Sequence, residues 1–347
     1  MLRTRFTDLT GCKVPIQQAA IGGLARPHLA TAVSEAGGLG MVYAGSFDPN
    51  QMTEVFEDMR RRTSGVFGAN FLIPEAFVSD LNEIREQVET ASKLVKVVEF
   101  FYRQPDPSLV DLVHEGGALA LWQVGSNEEA VAAAEAGCDM IVAQGVEAGG
   151  HVRGKISLLT LLSQVLDSVK VPVLAAGGIG SGRALAAVLA AGASGARVGT
   201  RFIAATEAGA HPEYVKALIA SEPEDTVVTE AFSEGWPNAP HRVLRFCIEE
   251  AQKFKGDIVG YKKLISTGEM VPVKPLESFT MTSETTGTLK AMPHWAGESV
   301  SGVKNVKPVV AIMKELVDEA EMLLQKWTED VPLPKAFVPN PPNPGKT

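Results

Sequence analysis

Short apolar runs recur along the chain at regular intervals. Each has the length of a β-strand, and several are bounded by glycine or proline, as is typical of strands buried in a sheet. Eight of these runs predict strands, at residues 15–21 (PIQQAAI), 38–44 (GLGMVYA), 67–72 (FGANFL), 97–102 (VVEFFY), 118–124 (ALALWQV), 140–145 (MIVAQG), 171–178 (VPVLAAGG) and 195–202 (GARVGTRF).

Most of these runs are followed by a helical pattern of apolar positions. The left-handed backbone of a helix C-terminal cap suits glycine, and glycines close several of the patterns, as Gly37, Gly116, Gly137 and Gly192. The patterns predict helices at residues 27–36, 80–90, 108–115, 128–136, 158–168 and 182–191.

Strands that alternate with helices predict an α/β fold with right-handed βαβ units and a parallel sheet. Eight such units predict a closed (β/α)₈ TIM barrel. A doubly wound open sheet is the structural alternative. The barrel is favoured because glycine-rich turns recur at several strand ends rather than only after the first strand.

The pattern changes after the eighth strand. Residues 241–254 have the apolar spacing of an amphipathic helix, residues 255–293 have no sustained period, and residues 307–327 return to a long helical pattern. We therefore predict a barrel over residues 1–240 and a helical or irregular segment over residues 241–330 that closes over the active site. The proline-rich residues 331–347 form a tail.

Composition excludes several classes of partner. The chain has 32 Lys and Arg against 41 Asp and Glu, a net charge of −9, which argues against nucleic acid and anionic membranes. The three cysteines are far apart, so we expect no metal site and no disulfide framework. The N-terminus lacks the apolar core of a signal peptide, and no run approaches the roughly 18 residues that span a bilayer. These features predict a cytoplasmic protein.

The segment of residues 140–154 (MIVAQGVEAGGHVRG) carries the main chemical signal. Its apolar half is a predicted strand, and the paired Gly149 and Gly150 precede His151. Paired glycines let the backbone approach a ligand closely, and an imidazole just beyond them can take part in proton chemistry. The alternative is a strand-to-helix loop with an exposed histidine.

Two glycine turns predict a phosphate site. In a barrel, sites lie at the C-terminal ends of the strands, and phosphate is often held after strands seven and eight. Here strand seven ends in Gly177 and Gly178, and strand eight ends in Gly199 and Thr200. Their backbone N–H groups form an anion cradle. The late GGIGSG does not match the dinucleotide pattern G-x-G-x-x-G.

Neutral amides follow several of the other predicted strands. Side-chain amides both donate and accept hydrogen bonds, so they suit the carbonyl and imide edge of a planar heterocycle such as a flavin. With the phosphate cradle they indicate flavin mononucleotide (FMN). Solvated loop residues are the alternative for each of these amides, which are Gln17, Gln18, Asn70, Gln123 and Gln144.

The sequence resembles the nitronate monooxygenase family, formerly called 2-nitropropane dioxygenases, which are FMN-dependent barrels. The resemblance covers roughly residues 1–250 and resumes around residues 294–302. It rests on the combination of PIQQAAIGGLARPHLATAVSEAGGLG, FGANF, AQGVEAGGHVRG and VPVLAAGGIGSGRALAAVLAAGASGARVGTRFIAATEAGAHP.

The resemblance assigns roles to individual residues. It implies that His151 is the active-site histidine and that Trp295 belongs to a late segment that closes over the flavin. It implies that the phosphate is held by Gly177, Gly178, Gly199 and Thr200. The residues that it implies around the flavin ring and ribityl chain are Ala20, Ile21, Gly22, Asn70, Gln123, Gln144 and Gly149.

The resemblance also implies an activity, in which a nitronate and O2 give a carbonyl compound and nitrite. His151 would act either as an imidazolium that stabilises the nitronate or as a neutral base toward a nitroalkane. The alternatives are an NADH-dependent flavin reductase acting on a quinone or an enoyl thioester, a scaffold barrel without catalysis, and a flavin-free lyase or isomerase. The sequence leaves open whether the chain forms a homo-oligomer.

Three segments depart from the family pattern. The first turn reads QQAAIGG where many relatives carry a methionine–glycine pair, the histidine is followed by HVRG, and SEGWPNAPHRVLR is longer than expected. These departures concern the substrate pocket rather than the cofactor.

Overall fold

The structure is a computed structural model that describes residues 2–24, 26–265 and 267–330, with the backbone alone for residues 327–330. The predicted proline-rich tail at residues 331–347 lies outside the described residues. Within the described part of the chain, none of the helices combines the length and the apolar content needed to cross a bilayer.

Strands and helices alternate through the first two thirds of the chain. The strands are β1 Ile16–Gln18, β2 Gly40–Tyr43, β3 Phe67–Leu72, β4 Val97–Phe101, β5 Leu119–Val124, β6 Met140–Gln144, β7 Gly150–His151, β8 Val173–Ala176, β9 Gly195–Val198, β10 Thr226–Thr229, β11 His241–Leu244, β12 Gly260–Lys263, β13 Met270–Val273 and β14 Thr286–Gly287. The α-helices are α1 Arg5–Thr10, α2 Pro27–Glu35, α3 Pro49–Arg62, α4 Arg85–Leu94, α5 Pro107–Glu115, α6 Asn127–Glu135, α7 Leu158–Ser168, α8 Gly182–Ala190, α9 Thr200–Ile203, α10 Pro212–Ile219, α11 Arg245–Lys253 and α12 Val309–Asp330. Short 3₁₀ helices lie at Leu81–Ile84, Pro223–Asp225, Leu289–Ala291 and Glu298–Gly302.

Eight strands form one parallel sheet in the order β1-β9-β8-β6-β5-β4-β3-β2. The sheet closes on itself beside β1, where Gln17 bridges Leu39 just before β2. There Leu39 N donates to Ile16 O at 2.9 Å and Gln18 N donates to Leu39 O at 3.0 Å. Closure confirms the predicted (β/α)₈ barrel and excludes the open sheet.

Each predicted strand is present, but those predicted at residues 15–21, 38–44 and 171–178 are shorter, Ile16–Gln18, Gly40–Tyr43 and Val173–Ala176. The strand predicted at residues 195–202 ends at Val198, and Thr200–Ile203 is a short helix. The helix predicted at residues 241–254 begins as strand β11, because this stretch pairs with both β10 and β7. Gly117 (φ 87°), not Gly116, takes the left-handed conformation after α5.

Helix α3 was missed because it has few apolar positions. It is defined by its N-terminus instead: the Asp48 carboxylate accepts from Asn50 N and Gln51 N, both at 2.9 Å, and Pro49 is the first helical residue. An Asp-Pro pair followed by Gln51 is a capping-box signal. Helix α3 could therefore have been predicted from the capping residues at its N-terminus, although not from apolar periodicity.

The barrel strands are buried on both faces, as parallel strands covered by helices must be. On β4, Val97 and Glu99 lie on the inner face, whereas Val98 and Phe100 pack in the layer between the sheet and the helices. The inner face is mostly apolar. Residues packed there include Leu39, Met41, Val97, Leu121, Met140, Val142 and Leu174.

Two small sheets lie outside the barrel sheet, in the orders β10-β11-β7 and β13-β12-β14. Residues 255–293, predicted to be irregular, contain β12, β13 and β14. The first sheet includes β7, which follows barrel strand β6, so its backbone ladder joins residues on both sides of the predicted boundary at 240. That division into domains stays a prediction.

Helix α12 completes the outer layer of the barrel by packing against α8 and α2. The contact with α8 is closest at Gly182. A Cβ on that residue would lie 2.5 Å from Leu316 O and 2.5 Å from Glu319 Cβ. The position therefore requires glycine for packing.

We predict that Gly182→Val lowers the free energy of unfolding by roughly 1–3 kcal/mol, the usual range for overpacking. Valine would force α8 away from the α12 backbone. Urea denaturation measures this effect, with Ala187→Val as a control on an exposed position of the same helix. Equal losses in the two variants would show that the α8–α12 contact does not constrain the fold.

Candidate active site

A cavity of about 510 Å³ opens at the C-terminal ends of the barrel strands. This volume lies within the range of small-molecule and cofactor sites. Its lining combines turns after β1, β6, β8 and β9 with side chains on β3 and β5. It includes each residue to which the family resemblance assigned a role, namely Ala20, Ile21, Gly22, Asn70, Gln123, Gln144, Gly149, His151, Gly177, Gly178, Gly199, Thr200 and Trp295.

The two predicted anion turns lie side by side, because β8 pairs with β9. Gly177 (φ 112°) and Gly178 (φ 68°) both have left-handed backbone, which disfavours any other residue. Gly199 follows β9, and a Cβ there would lie 3.3 Å from the Cβ of Ala19. The turns thus leave bare backbone at the cavity wall, as a phosphate cradle requires.

A late segment packs onto this wall. Gly297 N donates to the Thr200 hydroxyl at 3.0 Å, and Glu298 N donates to Glu147 O at 3.0 Å. A Cβ on Gly149 would lie only 2.4 Å from Gly297 N, so the two backbones touch. Trp295 Nε1 donates to Phe279 O at 2.8 Å. These bonds fix Trp295 against the cavity.

His151 is held by a backbone ladder and by aromatic rings. In the ladder it pairs with His241, and the two imidazole rings are 5.3 Å apart. Trp236 stacks on His151 with ring centroids 3.8 Å apart, and Trp295 lies at 5.5 Å. The Tyr102 ring contacts the His151 ring edge-on, with ring centroids 5.9 Å apart. His151 is therefore part of an aromatic wall and not an exposed loop residue.

Burial keeps the His151 imidazole neutral. Loss of solvent, together with a smaller contribution from the nearby His241, lowers the pKa of His151 from 6.5 to about 3. His151 Nε2 is buried and has no hydrogen-bond partner among the described residues. A buried polar atom without a partner is costly, so this atom is available to a ligand in the cavity. The imidazolium alternative is disfavoured.

His241 is a poor candidate for proton transfer because both of its ring nitrogens are engaged. Nδ1 donates to Ala239 O at 2.8 Å, and Nε2 accepts from Phe232 N at 3.3 Å. Burial lowers the pKa of His241 as well. Its part is structural, since it supports the aromatic wall around His151.

Only some of the predicted amides face the cavity. Asn70 and Gln123 line it, and Gln123 Oε1 is buried without a hydrogen-bond partner. Gln144 also lines it, but its amide is engaged: Nε2 donates to His151 O at 3.0 Å and Oε1 accepts from Arg153 N at 3.3 Å. Gln144 therefore holds the loop that carries His151.

Gln17 and Gln18 were wrongly expected at the mouth. Both are completely buried, and neither lines the cavity. Gln17 Nε2 donates to Glu99 at 2.7 Å inside the barrel, and Gln18 Oε1 accepts from Met41 N at 3.0 Å. Both glutamines belong to β1, which ends at Gln18, and the residues that follow the strand, Ala19 and Ala20, line the cavity instead.

The cavity is less neutral than the sequence suggested. Arg26, Lys262 and Lys263 line it together with Arg197. Lys262 pairs with Glu277 at 2.5 Å and Lys263 pairs with Glu284 at 2.7 Å. In the sequence, Arg197 is a single arginine within an apolar run. The periodicity of that run indicates a buried strand but says nothing about the role of the arginine.

Glu147 has a local structural role. Its carboxylate accepts from Leu158 N at 2.9 and 3.0 Å, at the first residue of helix α7. A carboxylate at a helix N-terminus is favourable. Glu147 thus fixes the loop between β6 and α7, in which the two glycines and His151 lie.

The comparisons with known proteins agree with this geometry. The family described as nitronate monooxygenase matches residues 3–319. The chain belongs to the nitronate monooxygenase family. Members of this family are generally flavin-dependent oxidoreductases, so the prediction of a flavin-dependent oxidoreductase is confirmed at that level.

Named relatives extend over nearly the whole chain. A probable nitronate monooxygenase of Staphylococcus aureus is 29% identical over 363 residues, covering 93% of this chain and 99% of that protein. FabK from Thermotoga maritima has a TM-score of 0.77 at 29% identity and covers 95% of this chain and 100% of its own. Nitroalkane oxidase from Streptomyces ansochromogenes has a TM-score of 0.71 at 29% identity and covers 93% of this chain and 99% of its own.

We predict that the free energy of unfolding falls as the pH is lowered from 7 to 5. His151 and His294, whose folded pKa values are lowered by burial to about 3 and about 4, stay neutral in the folded protein. In the unfolded chain they bind protons below about pH 6.5, which costs up to roughly 2 kcal/mol each by pH 5.

Urea denaturation at the two pH values tests this prediction. The variant with both His151→Gln and His294→Gln is expected to lose less stability on acidification than the wild type. His28→Gln, at an exposed position, is the control and keeps the wild-type dependence. The same pH dependence in the double variant would contradict neutral burial.

Proposed function

We propose that this protein uses FMN to oxidise alkyl nitronates with O2 to a carbonyl compound and nitrite. The observation that carries the proposal is the His151 imidazole at the cavity wall, whose buried Nε2 has no partner among the described residues. Membership of the family and the likeness to a nitroalkane oxidase support it.

The cavity residues fit FMN. The bare turns at Gly177, Gly178 and Gly199 suit a phosphate, as anion sites built from backbone N–H groups do. The unpartnered Gln123 Oε1 suits a hydrogen-bond donor of the cofactor. When bound, FMN would supply the electron acceptor for the nitronate and the centre that reacts with O2.

The state of His151 favours a nitronate over a neutral nitroalkane. An imidazole whose pKa is lowered to about 3 is a weak base, so it is poorly suited to removing a proton from carbon. A nitronate arrives already deprotonated. Neutral His151 then orients it by a hydrogen bond from a ring N–H, while Trp236 and Trp295 exclude water.

A second candidate is an NADH-dependent flavin reductase acting on a quinone or an enoyl thioester. The likeness to FabK, an enoyl reductase, supports it. Arg26, Lys262 and Lys263 at the cavity would suit a substrate that carries phosphate. All three cations are already paired with carboxylates, Lys262 with Glu277 and both Lys263 and Arg26 with Glu284, which weakens this candidate relative to the first.

An anaerobic titration distinguishes the two candidates. We predict that purified protein loaded with FMN shows the absorbance of oxidised flavin, and that an alkyl nitronate bleaches it whereas NADH does not. The band belongs to the cofactor, so its loss reports reduction directly. Bleaching by NADH alone would favour the reductase, and failure to bind FMN would contradict both candidates.

We predict that His151→Ala keeps FMN and lowers turnover of the nitronate by about 10²-fold, as expected when a side chain that orients the substrate is removed. Oxygen consumption measures turnover, and flavin fluorescence measures retained FMN. His28→Ala, on the exposed face of α2, is the control and should leave both unchanged. Wild-type turnover in His151→Ala would remove this residue from the mechanism.

A further inference from the structure

A carboxylate lies inside the barrel where the mechanism above does not use it. Glu99, on the inner face of β4, is completely buried. It accepts hydrogen bonds from Gln17 Nε2 at 2.7 Å and from Asn70 Nδ2 at 3.1 Å, and it forms an ion pair with Arg197. A buried charge is tolerated when it is paired and hydrogen-bonded in this way.

The Glu99 network reaches the cavity through two of its members. Asn70 and Arg197 line the cavity, whereas Gln17 and Glu99 do not. Arg197 is buried, with a side chain that is 8% exposed. The network thus links the barrel interior to the surface that a ligand contacts.

Glu99 also decides which atoms of these side chains are left for a ligand. An ionised carboxylate only accepts hydrogen bonds, so it takes the amide nitrogen of Asn70 and one nitrogen of the Arg197 guanidinium. Asn70 Oδ1 and the remaining guanidinium donors are then free to face the cavity. The result is one acceptor and one cationic donor, and Gln123 Oε1 adds a second acceptor.

We propose that Arg197 binds the pyrimidine edge of the flavin and that Glu99 is the positioning residue that holds Arg197 and Asn70 for it. This edge presents an N–H between two carbonyl groups. An amide oxygen accepts from the N–H, and a guanidinium donates to a carbonyl. A cation at this position favours negative charge on the ring and so raises the flavin reduction potential. The proposal rests on the proposed function, because it requires a bound flavin.

The test is the flavin reduction potential of two variants, measured by dye-coupled anaerobic titration. Arg197→Met removes the cation, so its potential should fall. Glu99→Gln removes the counter-charge and keeps the cation, so its potential should rise. We expect each substitution to change the equilibrium between oxidised and reduced flavin at least about tenfold. That change corresponds to about 30 mV for a two-electron couple.

Opposite shifts would not follow from a purely structural role. Loss of packing weakens FMN binding in both variants and leaves the two potentials unchanged or moved in the same direction. The control is Arg201→Met. Arg201 is a buried arginine four positions along that pairs with Glu315 and does not line the cavity, so the potential of this variant should equal that of the wild type.

A single charge left inside the barrel can prevent folding. The double variant Glu99→Gln with Arg197→Met removes both charges and is expected to fold, with a potential below that of the wild type. Flavin-loaded variants whose potentials match the wild type would overturn this inference alone. A wild-type protein that binds no flavin would overturn both this inference and the proposed function.

Discussion

Closure of the parallel barrel is the constraint on which the rest of the structure depends. The bridge between Gln17 and Leu39 joins the first strand to the second and leaves no open edge on that side. In a closed parallel barrel the C-terminal ends of the strands meet at one rim. Residues as distant in sequence as Ala20, His151 and Thr200 therefore line one cavity. Inside the ring, Glu99 meets donors from three other strands.

The second level of organisation is the aromatic wall around His151. It is assembled by the short sheet β10-β11-β7, which brings His241 beside His151, and by the segment that contains Trp236. Removing water from the imidazole lowers its pKa and leaves Nε2 unsatisfied. The same packing that stabilises this region thus produces a neutral polar atom in an otherwise apolar wall. Such an atom orients a ligand without competing for its charge.

The sequence predicted the features that depend on local rules. Strand β3 has its predicted bounds, and the glycine turns after β8 and β9 lie beside the cavity because parallel pairing places them there. Gln17 and Gln18 were misplaced because their amides bond to partners on other strands, Glu99 on β4 and Met41 on β2, which the sequence of β1 alone does not reveal. Glu99 and Arg197 were not recognised, since a charge inside a strand is interpretable only when its partner, 98 residues away, is known. Trp236 lies in a segment without periodicity, so its contact with His151 was not predictable.

The central claim is that the cavity holds FMN with its phosphate at the two glycine turns and its ring beside His151. The most direct measurement is a crystal structure of the flavin-loaded protein. Our account predicts phosphate density within hydrogen-bonding distance of the backbone N–H groups at Gly178 and Gly199, with the pyrimidine edge against Asn70 and Arg197. A flavin bound in the reverse direction, or a cavity that stays empty at saturating FMN, would contradict it.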